Sequence, residues 1–252
     1  MSIFQASTMR ARGRHSGDLP GMRTIAVIAL KGGSGKTTVA AHIALAAHLR
    51  GMKTVVADTD PQHSVSDVLR SRADPGPTTV GAIGSSLFAA QIAAVGSGMD
   101  TMVIDTAAGA AEDVAQAIVV ADYSLLVVRP TLMDIAAAVR TVDIIRRLRK
   151  PAMVVVNQAP TARDGVEPPS VKRALRALEV LRLPVVPTLL RSRAIYQTAL
   201  ETGKSAEECY DVNASREIAA LWAFVERFTF GKRDAPPPAE AADEDEDLKF
   251  AP

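Results

Sequence analysis

Thr24 to Thr38 read TIAVIALKGGSGKTT: an unbroken apolar run, a glycine-rich turn and the start of a helix. A continuous apolar run such as Thr24 to Leu30, without polar alternation, marks a strand buried on both faces at the centre of a parallel sheet. From Thr37 to Arg50, Val39, Ile43, Ala46 and Ala47 fall on one helical face, and Gly51 ends the helix. Between strand and helix, Gly32, Gly33, Ser34 and Gly35 let backbone amides converge, while Lys36, Thr37 and Thr38 stand at the helix start. In this context the loop is a phosphate cradle. Its amides and the helix dipole face phosphate oxygens, Lys36 reaches the β- and γ-phosphates, and the Thr37 hydroxyl is offered to Mg2+. A turn with a purely structural role needs neither Lys36 nor Thr37.

The same rhythm continues outward. TVVAD at Thr54–Asp58, TMVID at Thr101–Asp105, SLLVV at Ser124–Val128 and AMVVVN at Ala152–Asn157 read as further buried strands. Helix-period segments separate the later ones, notably Asp134 to Leu148, with Ile135, Val139, Val142, Ile145 and Leu148 in a stripe. Strands alternating with helices predict right-handed crossovers and an α/β, doubly wound, mostly parallel sheet. A last helix, Ser215 to Phe228, aligns Ile218, Leu221, Trp222, Val225 and Phe228, a stripe suited to core packing.

Composition agrees with one domain. The chain has 252 residues, 48% hydrophobic but only 4% aromatic, which is what Ala, Val, Leu and Ile supply to a sheet covered on both faces. A single cysteine, Cys209, excludes an internal disulfide framework and any iron–sulfur site built by one chain. The four histidines show no metal-ligand spacing. No stretch approaches the roughly 18 apolar residues of a membrane span, so a cytoplasmic protein is expected. Residues 1–22 are polar and basic and are expected to be a disordered leader, residues 23–232 the folded domain, and 233–252 a disordered Pro-rich acidic tail. The tail holds seven acids and one base from residue 234 onward, leaving the first 233 residues with 28 bases against 21 acids. A basic body suits an anionic partner, and it equally suits a solvated surface.

The string KGGSGKTT, Lys31 to Thr38, resembles the deviant Walker A motif of the ParA/MinD family of ATPases. DTDPQ at Asp58–Gln62 resembles the Walker A′ motif, and MVIDTAAG ending the strand at Asp105 resembles Walker B. The resemblance spans residues 23 to 230 and is to the small type without an N-terminal helix-turn-helix domain. It implies that Lys31, immediately before the glycines, crosses a homodimer interface to the partner's ATP, as an arginine finger does. It implies that Asp60 orients the attacking water, that Asp58 supports the metal shell, and that Asp105 holds Mg2+ through water. Asn157, at the end of the fifth expected strand, is implied to contact adenine. Nothing matches the NKxD element of guanine-specific switches, which favours ATP over GTP. Where family members often carry two prolines after the Walker B aspartate, Ala107 and Ala108 stand here.

Two basic groups then acquire a reading. Arg173 and Arg176 recur at helical spacing with Lys172, and Arg191, Arg193 and Arg216 add charge late in the chain. The resemblance implies that such residues grip double-stranded DNA without sequence preference, making the dimer nucleoid-associated, and that a cargo-linked adaptor stimulates slow hydrolysis. Three other classes compete. A metabolic P-loop enzyme needs no Lys31, a membrane-positioning ATPase needs a basic amphipathic tail where this one is acidic, and an iron–sulfur relative needs two cysteines per chain.

Overall fold

The computed structural model describes residues 21–231; the expected leader and tail lie outside them, apart from Gly21 and Met22. Six strands, β1 (Arg23–Ile28), β2 (Thr54–Asp58), β3 (Thr78–Gly81), β4 (Thr101–Asp105), β5 (Tyr123–Val128) and β6 (Ala152–Val156), form one sheet in the order β3-β2-β4-β1-β5-β6. All five pairings are parallel. Helices α1 (Lys36–Leu49), α2 (Ser64–Arg70), α3 (Ser86–Gly96), α4 (Ala111–Val120), α5 (Leu132–Arg147), α6 (Pro169–Leu178), the single turn α7 (Ile195–Thr198) and α8 (Val212–Phe230) complete the α/β doubly wound fold.

Alternate residues of each strand enter one of two cores. Ile25, Val27, Val56, Val103, Leu125 and Val155 pack with α1, α2, α7 and α8; Ala26, Ile28, Val55, Ile104, Leu126 and Val154 pack with α3 to α6. That is why the strands read as continuous apolar runs: neither face is wet. The α8 stripe is core, with Trp222 fully buried. Strand β3 was not expected, because its four residues TTVG are half exposed on the sheet edge and carry no apolar run. Helix α5 starts two residues earlier than its periodicity suggests because the Thr131 side chain accepts the Asp134 amide as an N-cap, and Asp211 does the same for α8. Among the described residues, no helix is long and apolar enough to cross a membrane.

The chain leaves β1 for β2 on one side of the sheet and returns from β4 to β5 on the other, so β1 sits where the winding reverses. Ligands of such sheets bind outside the carboxyl ends of the strands at that point. The loop after β1, Asp58 at the end of β2 and Asp105 at the end of β4 all meet there.

Candidate nucleotide site

The loop from Lys31 to Gly35 turns the chain from β1 into α1 through two left-handed glycines, Gly33 (φ 76°) and Gly35 (φ 87°). It is held from beneath by the end of β6. The Asn157 side-chain amide donates to the Ser34 carbonyl at 2.8 Å, and that of Gln158 to the Gly33 carbonyl at 3.3 Å. A Cβ at Gly35 would lie 2.2 Å from Asn157 Nδ2, so this glycine is required twice, by its φ and by the clamp. Gly35→Ala is therefore expected to lower stability by about 2–4 kcal/mol and to weaken nucleotide binding by at least about 100-fold. Thermal melting and titration with a fluorescent ATP analogue measure both.

Asn157 is buried, and its amide is engaged with the loop's own backbone. The structure thus gives it a clamping contact that its sequence position does not disclose. Gln158, which the sequence reading passed over, carries a left-handed backbone (φ 54°) beside the same loop.

Lys36 is nearly buried at the start of α1; burial depresses its pKa, and the charges of Asp105 and Asp60 oppose that shift. Asp105 is fully buried, and burial pushes its carboxyl up to about 7, with Asp58 adding to the rise and Thr37 and Lys36 resisting it. The Thr37 hydroxyl lies close enough to favour the ionised form, yet neither Asp105 oxygen completes a hydrogen bond of good geometry. An orphaned buried carboxylate beside a threonine hydroxyl and the phosphate loop fits a magnesium ion carried in by nucleotide. Among the described residues no group of three His, Cys, Asp or Glu side chains could hold a metal ion.

Asp58 is placed differently. Its two oxygens accept the amides of Asp60 and Ser66, each at 3.1 Å, so it shapes the loop into α2. Asp60 is half buried, its Oδ1 accepting the Gln62 amide at 2.9 Å. His63 closes this loop in a left-handed conformation (φ 52°), its Nδ1 3.9 Å from Asp58 Oδ2. The only sequence signal for it was its place directly after DTDPQ. Behind β4, Gly109 (φ 95°) donates its amide to the Leu30 carbonyl at 3.0 Å, and Ala108 Cβ lies 3.7 Å from the position of a Cβ on Gly32. The Ala107–Ala108 segment therefore packs against the phosphate loop without the two prolines.

Lys31 stands apart from this cluster. Its ammonium donates to Asp134 Oδ2 at 3.0 Å, at the start of α5, and its side chain is 35% exposed. Lys36 lies in the carboxylate cluster at the start of α1, whereas Lys31 is turned to another element.

Residues 25–204 match the CobQ/CobB/MinD/ParA nucleotide binding domain. The chain belongs to that family. Over 196 residues it is 31% identical to the maintenance of carboxysome distribution protein A of Halothiobacillus neapolitanus, covering 72% of this chain and 85% of the relative. Its fold is similar to that of apo McdA from Cyanothece, with TM-score 0.67, 17% identity, and 81% of this chain and 99% of the other covered. The cell division ATPase MinD of Pyrococcus furiosus is similar too, with TM-score 0.66, 19% identity, and 81% and 98% covered.

The arginines singled out in the sequence of this CobQ/CobB/MinD/ParA chain do not form one surface. Arg191 is tied by both terminal nitrogens to Glu167 and also donates to the Pro160 carbonyl. Arg193 donates to Glu217 Oε1 at 3.0 and 2.8 Å, and Glu217 also receives the Tyr196 hydroxyl at 2.6 Å. These two guanidiniums are committed inside the protein, and the carboxylates beside them raise their pKa. Arg216, Arg173 and Arg176 are exposed. Arg216 lies on α8 and the other two on α6, helices that cover opposite faces of the sheet.

Proposed function

We propose that this chain is an ATP-driven dimerisation switch that positions a large cargo on DNA. One observation carries the reading: Lys36, Thr37 and Asp105, groups suited to a magnesium triphosphate, gather in one chain, while a second lysine, Lys31, is built next to the loop and paired instead with Asp134 at the start of α5. A cation with no place at its own phosphates fits delivery to a partner's nucleotide, where it neutralises charge developing on the transferring group.

ATP and Mg2+ bind at the carboxyl ends of β1, β2 and β4. The amides after β1 would cradle the phosphates, Lys36 would neutralise the β- and γ-phosphates, and Thr37 and Asp105 would hold the metal. Asp60 would orient the attacking water, and Asn157, buried and holding the Ser34 carbonyl, would support the loop while its adenine contact is the reading the family resemblance adds. Two protomers close face to face across the nucleotides, and hydrolysis, stimulated by a cargo-linked adaptor, resets them. Among similar solved structures are an ATP complex of McdA and a complex of MinD with MinC, which support an ATP-bound state and an adaptor. The Halothiobacillus relative is named for carboxysome distribution, which favours a large protein assembly over a replicon as cargo.

Nonspecific DNA supplies the track. The exposed arginines Arg216, Arg173 and Arg176 are the candidates for phosphate contact, and pairing doubles each weak basic surface. Arg191 and Arg193 contribute by holding the loops between β6 and α8, and would face DNA only by giving up Glu167 and Glu217.

Lys31→Ala tests the whole reading. With a slowly hydrolysed ATP analogue the parent should sediment as a dimer and the variant as a monomer. The variant's turnover should fall by about 10- to 100-fold and its DNA affinity by about tenfold. A variant that pairs, binds DNA and turns over like the parent means a single-chain catalyst, and the switch is then abandoned.

A further inference from the structure

The partner that Lys31 has in this protomer is itself a built site. Asp134 lies in the first turn of α5, its side chain only 3% exposed. Arg129 donates to it twice, Nε to Oδ1 at 3.0 Å and Nη2 to Oδ2 at 3.2 Å, and the Thr131 hydroxyl makes a short bond to Oδ2. Its own amide returns to Thr131 Oγ1 at 3.1 Å. Lys31 Nζ is the third donor group, also on Oδ2, at 3.0 Å. Burial alone would raise the carboxyl's pKa, and the bonds from Thr131, Arg129 and Lys31 outweigh it, so the group is held below its ordinary range.

These donors are unequal. Arg129 and Thr131 are close in sequence to Asp134 and belong to the same helix start, so they keep the carboxylate paired whatever Lys31 does. Removing Lys31 strands no buried anion, which is the event that makes most buried pairs hard to break. Two cations on one carboxylate also repel each other; they are alike in exposure, 32% for Arg129 and 35% for Lys31, but Arg129 holds Asp134 by two bonds and Lys31 by one, so the lysine is the one more easily released. The same turn exposes Leu132 and Met133, at 64% and 75%, beside the contact.

We propose that Asp134 is a positioning residue that retains Lys31 within its own protomer, so that each chain must release this ion pair before its lysine can reach the nucleotide of a second copy. The inference rests on the trans role of Lys31 argued above and adds its regulation. Asp134 sets the threshold for pairing: a triphosphate in the partner outcompetes a carboxylate already shared with Arg129, and a weaker anion such as a diphosphate competes less well. A dimer opens two such contacts, so their effect on assembly is squared.

Asp134→Asn in the full chain tests it. With a slowly hydrolysed ATP analogue, the dimer dissociation constant should tighten by about 100-fold, about tenfold for each contact. Turnover should become half-maximal at a correspondingly lower protein concentration. In a Lys31→Ala background, expected to stay monomeric, the same substitution should restore neither pairing nor turnover; pairing restored there places the effect on Arg129 or the helix start and overturns the proposal. A dimer constant within threefold of the parent's also overturns it, and if Lys31→Ala still abolishes pairing in that assay, the trans-lysine switch itself survives. Pairing by Lys31→Ala removes the switch instead. Should Asp134→Asn not fold, the ammonium resonance of Lys31 in the unaltered protein decides by NMR. With the analogue saturating, it should shift further as the protein concentration rises through the range where the chain pairs, and a resonance unchanged by pairing refutes the latch.

Discussion

Replacing Lys36 with alanine should abolish measurable ATP turnover, a fall of about three orders of magnitude or more. The residue is nearly buried, and its charge is felt by Asp105 and itself stabilised by Asp105 and Asp60. Taking it away removes the fixed positive charge proposed to meet the β- and γ-phosphates and, at the same time, leaves that cluster of carboxylates facing an incoming polyanion. Affinity and rate should both collapse, since ground-state binding and the charge of the transition state use the same ammonium. Phosphate release and fluorescent-nucleotide titration measure the two losses, and turnover within tenfold of the parent's would remove the phosphate role from this loop.

Asp105→Asn should separate catalysis from stability, losing at least about 100-fold in magnesium-dependent hydrolysis while making the nucleotide-free protein more stable at pH 8. The folded-state pKa of Asp105 is about 7, raised from an ordinary 3.8. Between these values the folded chain keeps a proton that the unfolded chain has released, so stability declines as pH climbs from about 4 to 7. Above pH 7 the full cost of the bare buried carboxylate, a few kcal/mol, is present. Asparagine keeps the shape without the charge. The variant should melt with the parent near pH 4 and roughly 5–10 °C above it at pH 8. Magnesium nucleotide should raise the parent's melting temperature much more than the variant's, because only the parent keeps the buried Asp105 carboxylate for the metal to neutralise. Parallel melting curves across this pH range would show that Asp105 is not the destabilising carboxylate.

Much of this could be read directly from residues 24 to 157. Five of the six strands announced themselves as continuous apolar runs, because each is buried on both faces. Strand β3 did not, being a short half-exposed edge held by its pairing to β2. The phosphate loop was legible in local order, glycines before a helix start, whereas Asp58, Asp60 and Asp105 were picked out by resemblance to family motifs, and the fold sets the ends of their strands beside that loop. His63 and Gln158 escaped notice because neither has a recognisable residue pattern, and only the folded chain sets them beside the loop. Arg191 and Arg193 looked like free charge because their carboxylates lie 24 residues away in sequence.

The sequence by itself determined the chemistry of the centre and the winding of the sheet, since a strand, a glycine turn and a helix start specify a phosphate cradle through backbone geometry alone. Tertiary structure decided which partner each polar side chain takes. Lys31 and Asp134 are separated by 103 positions, and Asn157 and Ser34 by 123. No local periodicity encodes such pairs. They exist because parallel crossovers bring the ends of β1, β5 and β6 side by side, and because a buried carboxylate or amide must find a donor or acceptor wherever the packing leaves one within about 3 Å.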